Sequence, residues 1–320
     1  MHSGCKMPRN VLRKVFTDDV VAQLCSVRSL TKDLKFRLSV LGVGGSHPIE
    51  PYRRKLLCDY RKRKAAWEAY LIAAFAVGLF DDEHGRDLLS RLRSKDDANF
   101  RSAMAECMSA WFLAGKRRLT VEPRPSGRPN HPLELCIRHA EGDIHVEVKA
   151  PYRLMVNSVY IGDGSGRLQD AVESANKQFG KEVPNLLIIA PVFFPTVFDM
   201  RSQITTAFFG DLAISIPFDK NAGQADGPPS HRFKPSGHFL ETQRPGGKPF
   251  KPDRSPRFTR VSAVLCVEEL EIPTQVIHRA LVVHNPHAQH PISEDIWSGI
   301  PQFVQREGEM IWTDGADPWQ

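Results

Sequence analysis

The sequence lacks any apolar run long enough to cross a bilayer. Its most hydrophobic stretch, residues 69–80, falls far short of the roughly 20 residues a spanning helix needs and reads as a buried helix. No membrane association is expected. Cysteine is scarce as well: six in 320 residues, with no CxxC pair. That spacing offers neither a zinc ribbon nor a thioredoxin-type redox motif, and scattered thiols of this kind read as reduced and mostly buried in a cytoplasmic protein. The first residues are polar and mixed, unlike a secretory signal. Internal repeats, a nucleophile elbow and a dinucleotide fingerprint are missing too. The glycine-rich segment 162–166 has no following Lys-Ser/Thr, so it reads as a connector rather than a phosphate-binding loop. Positive charge is in modest surplus: 43 Lys and Arg against 37 Asp and Glu give a net +6. This is compatible with a polyanionic partner without requiring one.

Hydrophobic periodicity divides the chain into four parts. Residues 1–95 read as an N-terminal helical region. Residues 96–218 carry the sharpest pattern. Asp97 is placed to cap a helix that ends before Gly115, with Phe100, Met104, Cys107, Trp111 and Ala114 as its apolar stripe. A short strand is expected at 119–122 and two clear ones at 133–138 and 144–149. A second helix follows, striped by Leu168, Val172, Ala175 and Phe179 and stopped by Gly180. The continuous apolar run 186–190 reads as a buried strand. Leu212, Ile214 and Ile216 alternate as a further one. This order predicts an α/β fold with a central sheet. Residues 219–260 hold seven prolines, five glycines and nine Lys or Arg, and periodicity vanishes there. A flexible basic loop is expected. Residues 261–320 read as C-terminal strands and a tail that complete the fold.

The hairpin at 133–149 places charged groups together. A tight turn centred on Glu141-Gly142 pairs Leu135 with Val148 and Ile137 with Val146, so one face is wholly apolar and buries. The other face carries Glu134, Cys136, Arg138, His145, Glu147 and Lys149. In this register Glu134 lies opposite Lys149, and Glu147 lies two residues along. Two carboxylates beside an ammonium suit Mg²⁺ chemistry, because hard cations prefer carboxylate oxygen and a bound metal activates water and phosphate.

The run Pro132-Leu133-Glu134, followed by Glu147-Val148-Lys149, resembles the signature of the PD-(D/E)xK (restriction-endonuclease-like) nuclease superfamily. The resemblance spans residues 97–191. It implies a core of helix, three strands, helix and strand around a mixed sheet, and Mg²⁺- or Mn²⁺-dependent cleavage of nucleic acid, DNA foremost. Glu134, Glu147 and the carbonyl of Val148 would then hold the metal, and Lys149 would position the attacking water. Glu106, on the preceding helix, matches the extra glutamate that family members often carry. The first acid is glutamate rather than aspartate, and Asn130, after Pro129, is an alternative occupant of its position.

Other readings stand beside this one. Glu134 and Lys149 also fit a cross-strand ion pair on a solvated face, and the protein would then be a non-catalytic module that binds nucleic acid or protein. Arg61, Lys62, Arg63 and Lys64, next to Tyr60, fit phosphate contacts or a solvated helix face. His284, His287 and His290 fit a zinc site or an ordinary loop.

Overall fold

In a computed structural model of the chain, residues 11–26, 37–38, 41, 60–81, 83–123, 133–151, 165–190, 200–209, 212–215, 218–219, 224–225, 230–233, 239, 256, 258–271, 276–307 and 309–314 are described. Among them are seven helices and a mixed eight-stranded sheet, so the fold is α/β. None of these helices is long and apolar enough to cross a membrane. The chain forms two compact units. The first comprises Met1–Tyr152, Ile188–Pro195 and Cys266–Ala280, and the second comprises Arg153–Leu187, Thr196–Leu265 and Leu281–Gln320.

The first unit holds α1 (Val11–Val15), α2 (Asp18–Cys25), α3 (Tyr60–Ala76), α4 (Glu83–Arg93) and α5 (Asp97–Ala110). It also holds β1 (Thr120–Pro123), β2 (Leu135–Arg138) and β3 (Ile144–Lys149). Helix α5 is its hub, packed against α3, α4 and β3. Nearly every side chain from Phe100 to Ala110 is buried, and Phe100 meets Trp67 edge-on with ring centroids 5.4 Å apart. Gly85 lets the start of α4 pass close to residue 80: a Cβ there would lie 2.5 Å from the Phe80 carbonyl carbon. The cap of α5 is Asp96 rather than the expected Asp97. Its carboxylate accepts from the Ala98 and Asn99 amides at 2.7 and 3.0 Å, while Asp97 pairs with Arg37 at 2.7 Å. Two adjacent aspartates look alike in sequence, and only the one with extended backbone can cap. The helix also does not stop before Gly115. It continues as a π-helical turn over Trp111–Lys116, closed by Arg117 N–H donating to the Phe112 carbonyl at 2.9 Å.

The second unit holds α6 (Ser165–Gln178), which packs on α7 (Met200–Phe209). Strand β4 (Asn185–Ile189), fully buried, follows α6 as its apolar run foretold and contributes residues to both units. Strand β5 (Leu212–Ser215) pairs antiparallel with β8 (Ser230–Phe233), and β6 (Phe218–Asp219) pairs with β7 (Gln224–Ala225). The stretch 219–260 thus contributes strands, and its Phe239 is buried against Phe208 at 5.0 Å. Strands of two residues, and the Ser-His-Arg-Phe run of β8, carry no apolar alternation, so the expectation of a flexible loop is corrected for these positions. Strands β9 (Ala263–Glu271) and β10 (Val276–His284) each contribute residues to both units. Strands β11 (Gln302–Arg306) and β12 (Glu309–Trp312) complete the sheet. Its order is β1-β2-β3-β4-β9-β10-β11-β12. The β1/β2, β2/β3 and β11/β12 pairs are antiparallel and β10/β11 is parallel.

Candidate active site

The β2–β3 hairpin forms as the alternation predicts, but its register differs by two residues. Leu135 faces Val146, Cys136 faces His145 and Ile137 faces Ile144. The turn is tightest at His139–Gly142, where Gly142 N–H donates to the His139 carbonyl at 3.1 Å. Gly142 adopts φ +129°, a conformation open mainly to glycine. Ala140 and Asp143 therefore do not pair. An even slip leaves every side chain on its original face, so the apolar face is buried as expected. What changes is the neighbour of each charge. Continuing the ladder one pair past Leu135 sets Glu134 against Glu147, not against Lys149.

Glu134 precedes β2 in a bend, and its Oε2 accepts from the Val148 amide at 3.1 Å. The side chain prolongs the ladder that the strand itself has left. Lys149 donates to Oε1 of Glu147. Glu147 is fully buried and its Oε2 has no hydrogen-bond donor among the described residues. Burial pushes the Glu134 carboxyl well above the usual carboxylate range. The neighbouring Glu147 carboxylate and a hydrogen bond to it act in the same direction, Glu106 adds to this, and Lys149 opposes it. The Glu134 carboxyl is thus harder to ionise than an exposed one, with a second carboxyl group beside it.

This arrangement is not a solvated ion pair. The polar face of the hairpin includes Cys136 and Glu147, both buried. Glu106 is buried as well and is gripped by Arg91, with Nη1 to Oε1 at 2.6 Å and Nη2 to Oε2 at 3.3 Å. Burial works against the Arg91 charge, but the Glu106 carboxylate outweighs it and raises the Arg91 pKa. Arg91 did not stand out in the sequence. It lies fifteen residues from Glu106 on a different helix, and no local pattern joins them.

The basic cluster divides. Arg63 faces inward and is fully buried against Glu269 of β9. Tyr70 donates to the same carboxylate and meets Nε2 of His278 on β10. Burial, with Lys116 and Arg63 assisting, lowers the His278 pKa to about 4 against the pull of Glu269. The reading of Arg63 as a phosphate contact is corrected: helical periodicity turns one residue of a basic run into the core. Lys64 is exposed and Lys62 half-buried. Nothing is described of the Arg61 side chain. The histidines do not converge. His284 bonds Gln302 at 2.8 Å and His290 bonds the Lys181 carbonyl at 2.8 Å. Among the described residues no group of three or more His, Cys, Asp or Glu is gathered to hold a metal. Pro129, Asn130, Pro132 and most of the glycine-rich segment 162–166 lie outside the described residues.

Glu134 should leave a signature in the pH dependence of stability. A carboxyl whose folded pKa exceeds its unfolded value holds extra proton between the two values. Its contribution is full below the ordinary value of 4.5 and is lost as pH rises through the raised one. His278 slopes the other way, since its neutral form is favoured by folding and stability is lost as pH falls toward about 4. Urea denaturation of wild type and Glu134→Gln in EDTA, from about pH 4 to about pH 8, which spans the ordinary histidine pKa of about 6.5, should differ by a component that fades upward. Parallel profiles would rule out the raised Glu134 pKa.

No protein-family model, no curated protein and no solved structure matches this chain.

Proposed function

We propose that the protein is a Mg²⁺- or Mn²⁺-dependent nuclease of restriction-endonuclease-like type, acting in the cytoplasm on the phosphodiester bonds of nucleic acid, DNA foremost. The observation that carries this reading is the Glu134–Glu147 carboxyl pair with the Lys149 ammonium on it. The element order α5, β1–β3, α6, β4 and the strand order β1-β2-β3-β4 support the same reading. The donor set fits a hard cation. Two carboxyl groups that repel one another, one with a buried oxygen lacking a donor, are what a divalent ion would relieve. Glu134, Glu147 and the Val148 carbonyl would hold it. When bound, it supplies Lewis-acid polarisation of the phosphate and a more acidic water. A cation there would favour the ionised form of Glu134. Lys149, a quarter exposed, orients the attacking water and stabilises charge developing on the phosphate. Glu106, fixed by Arg91, adds negative charge near Glu134 and would assist metal binding through water.

The test is degradation of single- and double-stranded DNA and RNA. Cleavage that copurifies with the protein, requires Mg²⁺ or Mn²⁺ and stops in EDTA is expected. Metal should also raise the melting temperature by mass action, and Glu147→Gln should lose most of that rise. Equal shifts in the two proteins would remove the site. A second reading, a non-catalytic module that binds nucleic acid or protein, is favoured by the prior engagement of Glu106 with Arg91 and of Glu147 with Lys149. Binding without cleavage in any metal is its expected result.

A further inference from the structure

Helix α4 and the start of α5, with Gln23 of α2, line a cavity of about 510 Å³ in the first unit. Its lining carries Arg86, Arg91 and Arg93, with Ser90, Ser94 and Asn99 between them, and no carboxylate among the described residues. Cavities of this size accept a small molecule or one nucleotide. The three guanidinium groups differ in how their charge is met. Arg91 is neutralised by Glu106 and by Asp87 at 2.8 Å. Arg93 donates Nε to the Val15 carbonyl at 2.7 Å and Nη2 to the Lys14 carbonyl at 3.2 Å. Backbone carbonyls orient that fork without cancelling its charge, and its Nη1 makes no hydrogen bond among the described residues. Arg86 has neither hydrogen bond nor ion pair among them.

Arginines on an ordinary surface helix splay into water or pair along the helix. Here one is pinned by main-chain oxygens from another helix and lines an open groove beside Arg86, which is exposed and has no ion pair among the described residues. Two guanidinium forks with no carboxylate partner among the described residues, flanked by hydroxyl and amide donors, suit a phosphate dianion, whose oxygens such forks can bind bidentately. Arg91 is common to this cavity and to the candidate active site, because the same side chain grips Glu106. A strand anchored here would lie beside the carboxylates.

We propose that the Arg86–Arg91–Arg93 cavity binds the terminal phosphate monoester of a nucleic-acid strand. This deepens the nuclease reading and rests on it for the identity of the ligand. The full-length protein in EDTA is titrated with a short single strand of DNA bearing a 5′-phosphate, a 3′-phosphate or hydroxyl ends, and with inorganic phosphate as competitor. One phosphate-ended strand should bind roughly tenfold tighter than the hydroxyl-ended one, about the worth of one charge-assisted hydrogen bond. Arg86→Gln should remove that preference with an unchanged melting temperature. Asn99→Asp, which places a carboxylate in the wall, should do the same. Equal binding of all strand ends overturns the proposal, as does a preference that survives both variants. Inorganic phosphate binding as tightly as the strand, with no preference among ends, marks a free-anion site and also overturns it. Metal-dependent cleavage without end preference sinks this proposal and spares the nuclease. End preference without cleavage in any metal sinks the nuclease and leaves the cavity.

Discussion

Lys149→Met is expected to cut the proposed nuclease activity by roughly 100-fold or more, the effect of deleting a preorganised electrostatic group. It is also expected to destabilise the metal-free fold. An exposed cross-strand pair contributes only about 0–1 kcal/mol, and the hairpin read from sequence alone suggests a loss of that size. The structure enlarges it, because Lys149 is a quarter exposed but Glu147 is fully buried. Removing the cation strands a carboxylate away from water, which costs about 3 kcal/mol, the lower end for a broken buried pair. Glu147→Gln in the Lys149→Met background should recover most of that stability and none of the activity. Urea denaturation in EDTA and cleavage in Mg²⁺ separate the two effects. If Lys149→Met cleaves as fast as wild type, the activity lies elsewhere. If it is as stable as wild type, Glu147 does not depend on Lys149.

The second large effect lies at Arg63. Arg63→Leu leaves the fully buried Glu269 carboxylate without its guanidinium, with Tyr70 still donating to it. A loss of about 3–5 kcal/mol is expected. Arg63→Leu with Glu269→Leu should regain much of it, since apolar replacements of a buried pair are often neutral. Nucleic-acid affinity gives an independent readout. A residue contacting phosphate flattens the salt dependence by about one unit when neutralised, whereas the double variant should keep the wild-type slope. A flattened slope would return Arg63 to the nucleic-acid surface.

Much of the site was legible in sequence. Strict alternation over 135–148 sorted apolar from charged residues, and an even slip in register could not undo that sorting. The register itself depends on where the chain turns. A glycine at φ +129° within His139–Gly142 is a matter of loop geometry that alternation does not encode. For that reason Lys149 was assigned to the wrong glutamate. The element order from α5 to β4 was read correctly because each element carries its own period. The π-helical turn was not, since Gly115 resembles a helix stop. Partners on separate elements were invisible: nothing near Glu106 announces Arg91. Burial of the hairpin's charged face was equally hidden, because it depends on α5 packing over β3 rather than on any property of the strands.

Arg63 and Glu269 are 206 residues apart in the chain, and that separation orders events on the ribosome. Helices α1 to α5 and the β2–β3 hairpin emerge first, with α3 carrying a guanidinium whose carboxylate has not been synthesised. The first unit cannot close as the chain grows; it waits until residues 266–280 have cleared the exit tunnel. A nascent chain arrested before that point holds Arg63 without its Glu269 carboxylate. It should remain soluble only with chaperone assistance, and a fragment ending at Tyr152 should behave in the same way.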